Sequence, residues 1–171
     1  AAPHYSVTRF SAPNRLELTL SGVRKIDFDA LFKSLLGTEA VRDAYRMMVL
    51  DDSSYGIVIV LNEGWSCEIT EYSDPGALML NFIESAPSGE DEVYYLRSEA
   101  MTYTDELGLL CEEYHAEAAT QLRTLSGEYI VTIGQYATRA EAEEALAALN
   151  ETHGESGFFV ASGAPGDTPE N

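Results

Sequence analysis

Tyr129-Ile130-Val131-Thr132-Ile133-Gly134-Gln135-Tyr136-Ala137-Thr138-Arg139-Ala140-Glu141-Ala142 is the stretch on which the fold turns. Its first five residues are β-branched or aromatic, the composition of a strand. Gly134 suits a tight turn at the strand end, and Thr138 and Glu141 have the spacing of a capping box. Ala142, Leu146 and Leu149 then recur at three- and four-residue steps, the pattern of a helix with one packed face. Phe158-Phe159-Val160-Ala161 returns to strand. The result is a β-α-β unit.

Upstream, Val93 to Leu96 reads as a strand. Leu107, Cys111, Tyr114, Ala118, Leu122 and Leu125 predict one long amphipathic helix, capped by Thr104 with Asp105 and Glu106 at its positive end. No strand is expected between that helix and Ser126. The segment 86–92, Ala-Pro-Ser-Gly-Glu-Asp-Glu, has the composition of a linker. The residues from Gly163, rich in Pro, Gly and acid, read as a flexible tail over 163–171.

In the N-terminal half, His4–Phe10 and Arg15–Leu20 alternate as strands around the turn Ser11-Ala12-Pro13-Asn14. Asp27 is a suitable N-cap for a helix with Phe28, Leu31, Phe32 and Leu35 on one face. Gly37 is placed as its left-handed stop, and Thr38 as the cap of a second helix carrying Val41, Ala44, Tyr45 and Met48. Tyr55–Leu61, Trp65–Tyr72 and Ala77–Ile83, separated by Asn62-Glu63-Gly64 and Ser73-Asp74-Pro75-Gly76, predict a three-stranded meander with Cys67 facing inward. The expected division is 1–85, 92–162 and the tail, in an α+β fold.

With 171 residues the chain is long enough for one domain or two small ones, each with a real core. The formal net charge is −19. It is unevenly spread: seven Lys/Arg against five Asp/Glu in residues 1–50, then three Arg against 24 acids in 51–171. Such a field repels nucleic acid and anionic lipid and serves solubility. No apolar run approaches the ~18 residues of a membrane helix. The start Ala1-Ala2-Pro3, without Met, fits either signal-peptide removal or a trimmed end; the expectation of export rests mainly on the resemblance given below and only weakly on this start.

Reactive constellations are missing. The three histidines, His4, His115 and His153, are read respectively as near a frayed end, solvated among Glu112, Glu113 and Glu117, and favourable to a helix dipole. Asp51-Asp52-Ser53-Ser54 lacks the spaced ligands of a calcium loop. Cys67 and Cys111 match no zinc spacing and are read as inward-facing thiols, free or, in an exported chain, joined in a single disulfide. There is no nucleophile elbow, phosphate loop or dinucleotide fingerprint. No catalytic residue, metal or cofactor is expected, so the function is sought in binding.

Residues 127–162 resemble one half of a SPOR domain, the peptidoglycan-binding module of bacterial envelope proteins. Gly134, Tyr136, Thr138, Ala142, Leu146 and Leu149 match its half-repeat in order and spacing: strand, Gly-x-Phe/Tyr, cap, Ala/Leu helix, strand. The resemblance implies a ferredoxin-like C-terminal region whose other half lies in 92–124. That half supplies a strand and a helix but no Gly-x-Phe turn. The resemblance further implies that glycan lies on the sheet face away from the helices. Alternation directs Ile130 and Thr132 to that face, with Gln135 and Tyr136 near its edge; Thr132 stands where family members often carry Gln. The expected function is an exported, non-enzymatic envelope protein that binds peptidoglycan glycan. The alternative is a protein-interaction or scaffolding domain that keeps the fold without the sugar. An envelope hydrolase using buried carboxylates is a third class.

Overall fold

The computed structural model describes residues 2–86 and 92–171. The expected linker therefore lies, apart from its two end residues, outside the described residues. The chain divides into two compact units, 1–90 and 91–171.

The first unit holds β1 (His4–Ser11), β2 (Asn14–Ser21), α1 (Phe28–Leu36), β3 (Val41–Met47), β4 (Ser54–Leu61), β5 (Trp65–Ser73) and β6 (Gly76–Glu84). An antiparallel sheet runs in the order β1-β2-β4-β3. β4 is central because its continuous apolar run, Ile57 to Leu61, is buried throughout. Asp27 caps α1 by accepting the Ala30 N–H at 3.0 Å.

Three expectations fail in this unit. Gly37 has φ −78°, a right-handed value, so it is not a left-handed stop. The second helix is strand β3. Its register against β4 shifts between Val41 and Asp43, and this bulge brings Val41 and Ala44 to the same core although three positions separate them. A bulge thus imitates helical spacing. The meander is likewise broken: β4 pairs with β2 and β3, while β5 and β6 form a separate two-stranded ribbon. Cys67, Trp65, Ile69, Leu78, Leu80 and Phe82 on the ribbon pack onto the core of the larger sheet. Packing face to face buries more apolar area than adding a fifth strand at an edge.

The second unit holds β7 (Val93–Arg97), α2 (Asp105–Glu113), a 3-10 turn (His115–Glu117), β8 (Thr120–Arg123), β9 (Tyr129–Tyr136), α3 (Arg139–His153) and β10 (Phe159–Gly163). The sheet order is β10-β7-β9-β8, antiparallel throughout. This is the complete β-α-β-β-α-β arrangement of a ferredoxin-like domain. The long helix expected from Thr104 to Leu125 is corrected. α2 ends at Glu113, Ala118 takes a left-handed φ of 56°, and Thr120–Arg123 pairs with β9 as β8. Leu122, placed on that helix by its spacing, is 2% exposed because it faces Ile130 across the sheet. Strand pairing has overridden the helical pattern.

α3 follows the sequence closely. Thr138 Oγ1 accepts the Glu141 N–H at 3.2 Å, and Glu141 Oε2 accepts the Thr138 N–H at 3.0 Å. Ala142 is fully buried, letting the helix approach the sheet, and Leu149 packs one face later.

Candidate functional site

Two surfaces of the second sheet differ sharply. Leu96, Val131 and Ile133 point to the side covered by α3, where Tyr114, at the end of α2, lies tilted against His153 and edge-on to Phe158. Burial, more than the nearby Glu113 and Glu117, pushes the Tyr114 hydroxyl above its usual pKa. His153 Nε2 lies 2.6 Å from Glu117 Oε1 in the last turn of α3, so this histidine is tied to a carboxylate as well as placed at a helix end. His115 and His4 are exposed.

The opposite, outer side carries Tyr95, Arg97, Thr120, Leu122, Ile130, Thr132 and Phe159 by strand alternation and pairing. Tyr95, Leu122 and Ile130 form a small cluster with Ala100 and Ala161. The Arg97 guanidinium stands 5.2 Å from the Phe159 ring. Its Nε donates to Ser98 O at 3.1 Å and its Nη1 to Glu170 O at 2.6 Å. Its Nη2 is buried and has no hydrogen-bond partner among the described residues.

The four residues assigned by resemblance separate into two pairs. Ile130 and Thr132 stand on the outer side, but they are 0% and 3% exposed. They form a floor rather than an open surface. Gln135 and Tyr136 are half-buried at the end of β9. The register against β7 shifts between Tyr94 and Leu96, and Gly134 takes φ +72°. That extra residue reverses the alternation and turns Tyr136 toward α3. There Tyr136 borders a recess of about 360 Å³ with Ala145, Ala148 and Leu149. A Cβ on Gly134 would come within 2.5 Å of the Tyr136 hydroxyl, so glycine is required both for the φ and for the space. Burial raises the Tyr136 hydroxyl pKa.

Sequence reasoning missed Arg97 and the segment after β10, whereas Phe159 is among the C-terminal aromatic residues whose flat rings suit stacking on a sugar. The expected flexible tail makes specific contacts. Leu125 N donates to Pro169 O at 2.9 Å, and Thr124 Oγ1 and Ser126 Oγ each donate to Asn171 Oδ1 at 2.6 Å. Asn171 Nδ2 donates to the Glu128 carboxylate, and Pro165 is buried. Two of the tail's bonds, at Pro169 O and Glu170 O, are made by backbone carbonyls, and composition does not report on them. Arg97 stood out only as one of three arginines after residue 50.

Elsewhere the reactive groups are inert. Cys67 and Cys111 are free thiols; burial, the largest effect, raises the Cys67 pKa, and Cys111 Sγ donates to Ala119 O at 3.3 Å. Asp51 accepts hydrogen bonds from Ser53 and Ser54, which hold its carboxyl below the usual range and make it a turn cap. Among the described residues no three His, Cys, Asp or Glu side chains converge as metal ligands, and no helix is long and apolar enough to cross a membrane.

The class defined by this geometry is a ferredoxin-like domain: a four-stranded antiparallel sheet with helices on one side. Residues 96–161 match the family model of the SPOR domain, a peptidoglycan-binding domain. The match spans both halves, β7 into β10, so the segment 92–124 is the true partner of 127–162. No curated protein and no solved structure matches the chain.

Proposed function

We propose that this chain is an exported, non-enzymatic protein of the cell envelope that binds the glycan strands of peptidoglycan through the outer face of its second unit. The observation that carries the reading is the coincidence of the SPOR match at 96–161 with a complete β-α-β-β-α-β unit. A hydrogen-bonding fork, Arg97, beside an aromatic ring, Phe159, supplies the chemistry that sugars need: directed donors and a flat apolar surface. The strongly acidic composition suits a neutral saccharide better than an anionic polymer.

Cosedimentation with purified sacculi tests the reading, using walls with and without their stem peptides. The chain is expected to pellet with both, since the contacts are to glycan. Absence from both pellets would remove glycan binding. The alternative, a scaffolding domain that keeps the fold without sugar, draws on the burial of Ile130 and Thr132. It predicts no pelleting with either wall.

A further inference from the structure

We infer that residues 164–171 act as a strap that holds the outer face of the second sheet shut, and that Arg97 is the ligand-binding group it covers. The strap begins where β10 ends, at one edge of the sheet. It is anchored at the other edge, where Asn171 and Pro169 meet Thr124, Leu125 and Ser126 between β8 and β9. Within that anchored end, between Pro169 and Asn171, Glu170 O accepts from Nη1 of Arg97 on β7 at 2.6 Å. Its last three residues therefore tie Arg97, on the side away from the helices, to the loop between β8 and β9.

The chemistry under the strap is that of an occupied site. Arg97 is 5% exposed, although it is charged. Two of its three guanidinium nitrogens are satisfied by carbonyls, and Nη2 is buried without a partner among the described residues. A buried donor left unpaired is destabilising, and Arg97 belongs to the side of the sheet that would meet ligand if the strap lifted. Glu170 O is a neutral amide carbonyl. It fills an acceptor position on Arg97 that a ligand oxygen would take if the strap lifted. Phe159, 37% exposed beside the guanidinium, remains as a partly open edge.

The strap is held by a handful of hydrogen bonds at its far end and by Pro165, so a population of open molecules is expected. A ligand that binds only the open form has its apparent affinity lowered by the open fraction. The inference rests on the glycan-binding reading and adds its regulation and the part played by Arg97.

Binding to sacculi stripped of stem peptides is measured for chain 1–171, for a form ending at Gly163, and for Thr124→Ala with Asn171→Ala in the full chain. Circular dichroism serves as the folding control. The shortened form is expected to bind about tenfold more tightly than the full chain, and the double substitution several-fold more tightly. Arg97→Gln in the shortened form is expected to cancel about tenfold of affinity. Equal affinity of full and shortened chains would overturn the strap while glycan binding stands. An Arg97→Gln form that binds as its parent would overturn the role of Arg97. No binding by any form would overturn glycan binding and the strap together. Should the shortened form lose its fold, the full-length double variant decides: a gain supports the strap, and an unchanged affinity overturns it.

Discussion

α3 and α2 occupy equivalent places in the two halves of the second unit, yet they are built in different ways. α3 opens with a reciprocal capping box, Thr138 with Glu141, and closes at Gly154 with φ +79°. α2 opens at Thr104, whose side chain makes no cap hydrogen bond, and the turn after it ends at Ala118 in a left-handed conformation costing ~1 kcal/mol in a residue with a Cβ. One helix is specified by local hydrogen bonding. The other is held by burial of Leu107 and Tyr114 and by the pairing of β8 with β9. A domain of two matching halves needs only one of them to carry a strong local signal.

That contrast can be broken or sharpened by substitution. The largest effect is expected at Gly134, where β9 turns toward α3. Gly134→Ala meets both the positive φ and the Tyr136 ring, and is expected to cost about 2 kcal/mol, read as a lower urea midpoint with an unchanged slope. A cost under about 0.5 kcal/mol would mean that the bulge relaxes freely. Next come the caps. Thr138→Ala removes the Oγ1 acceptor of the Glu141 N–H, leaving only the backbone half of the box, and is expected to cost about 1 kcal/mol. Thr104→Ala removes no cap bond and is expected to stay within about 0.5 kcal/mol. Equal losses at the two positions would erase the proposed difference between the helices.

Legibility in the sequence followed the same line. β9, α3 and β10 were readable because their signals are short-range: alternation, a turn glycine, a capping pair, small residues at helical steps. The helix 38–48 was misread because a bulge in β3 gives Val41 and Ala44 a three-residue spacing. β8 was misread because Leu122 and Tyr114 fall on one helical stripe, although each is buried for a separate tertiary reason. Strand order was not legible at all. β4 and β5 are adjacent in sequence but belong to different sheets, a choice made by long-range packing.

The candidate site divides likewise. Ile130 and Thr132 were assigned to the correct side of the sheet by alternation, but their burial depends on what lies over them. Tyr136 was carried to the wrong side of the β9 bulge. Arg97 takes its importance from the Ser98 and Glu170 carbonyls and the Phe159 ring, contacts that join three separate parts of the chain.

The central claim is that ligand enters on the outer face of the second unit. Amide chemical-shift mapping of chain 1–171 with soluble peptidoglycan glycan tests it most directly. The account predicts shifts at Arg97, Thr132 and Phe159 and along 164–171, with α3 undisturbed. Shifts confined to the recess between Tyr136 and α3, or none at saturating glycan, would contradict it.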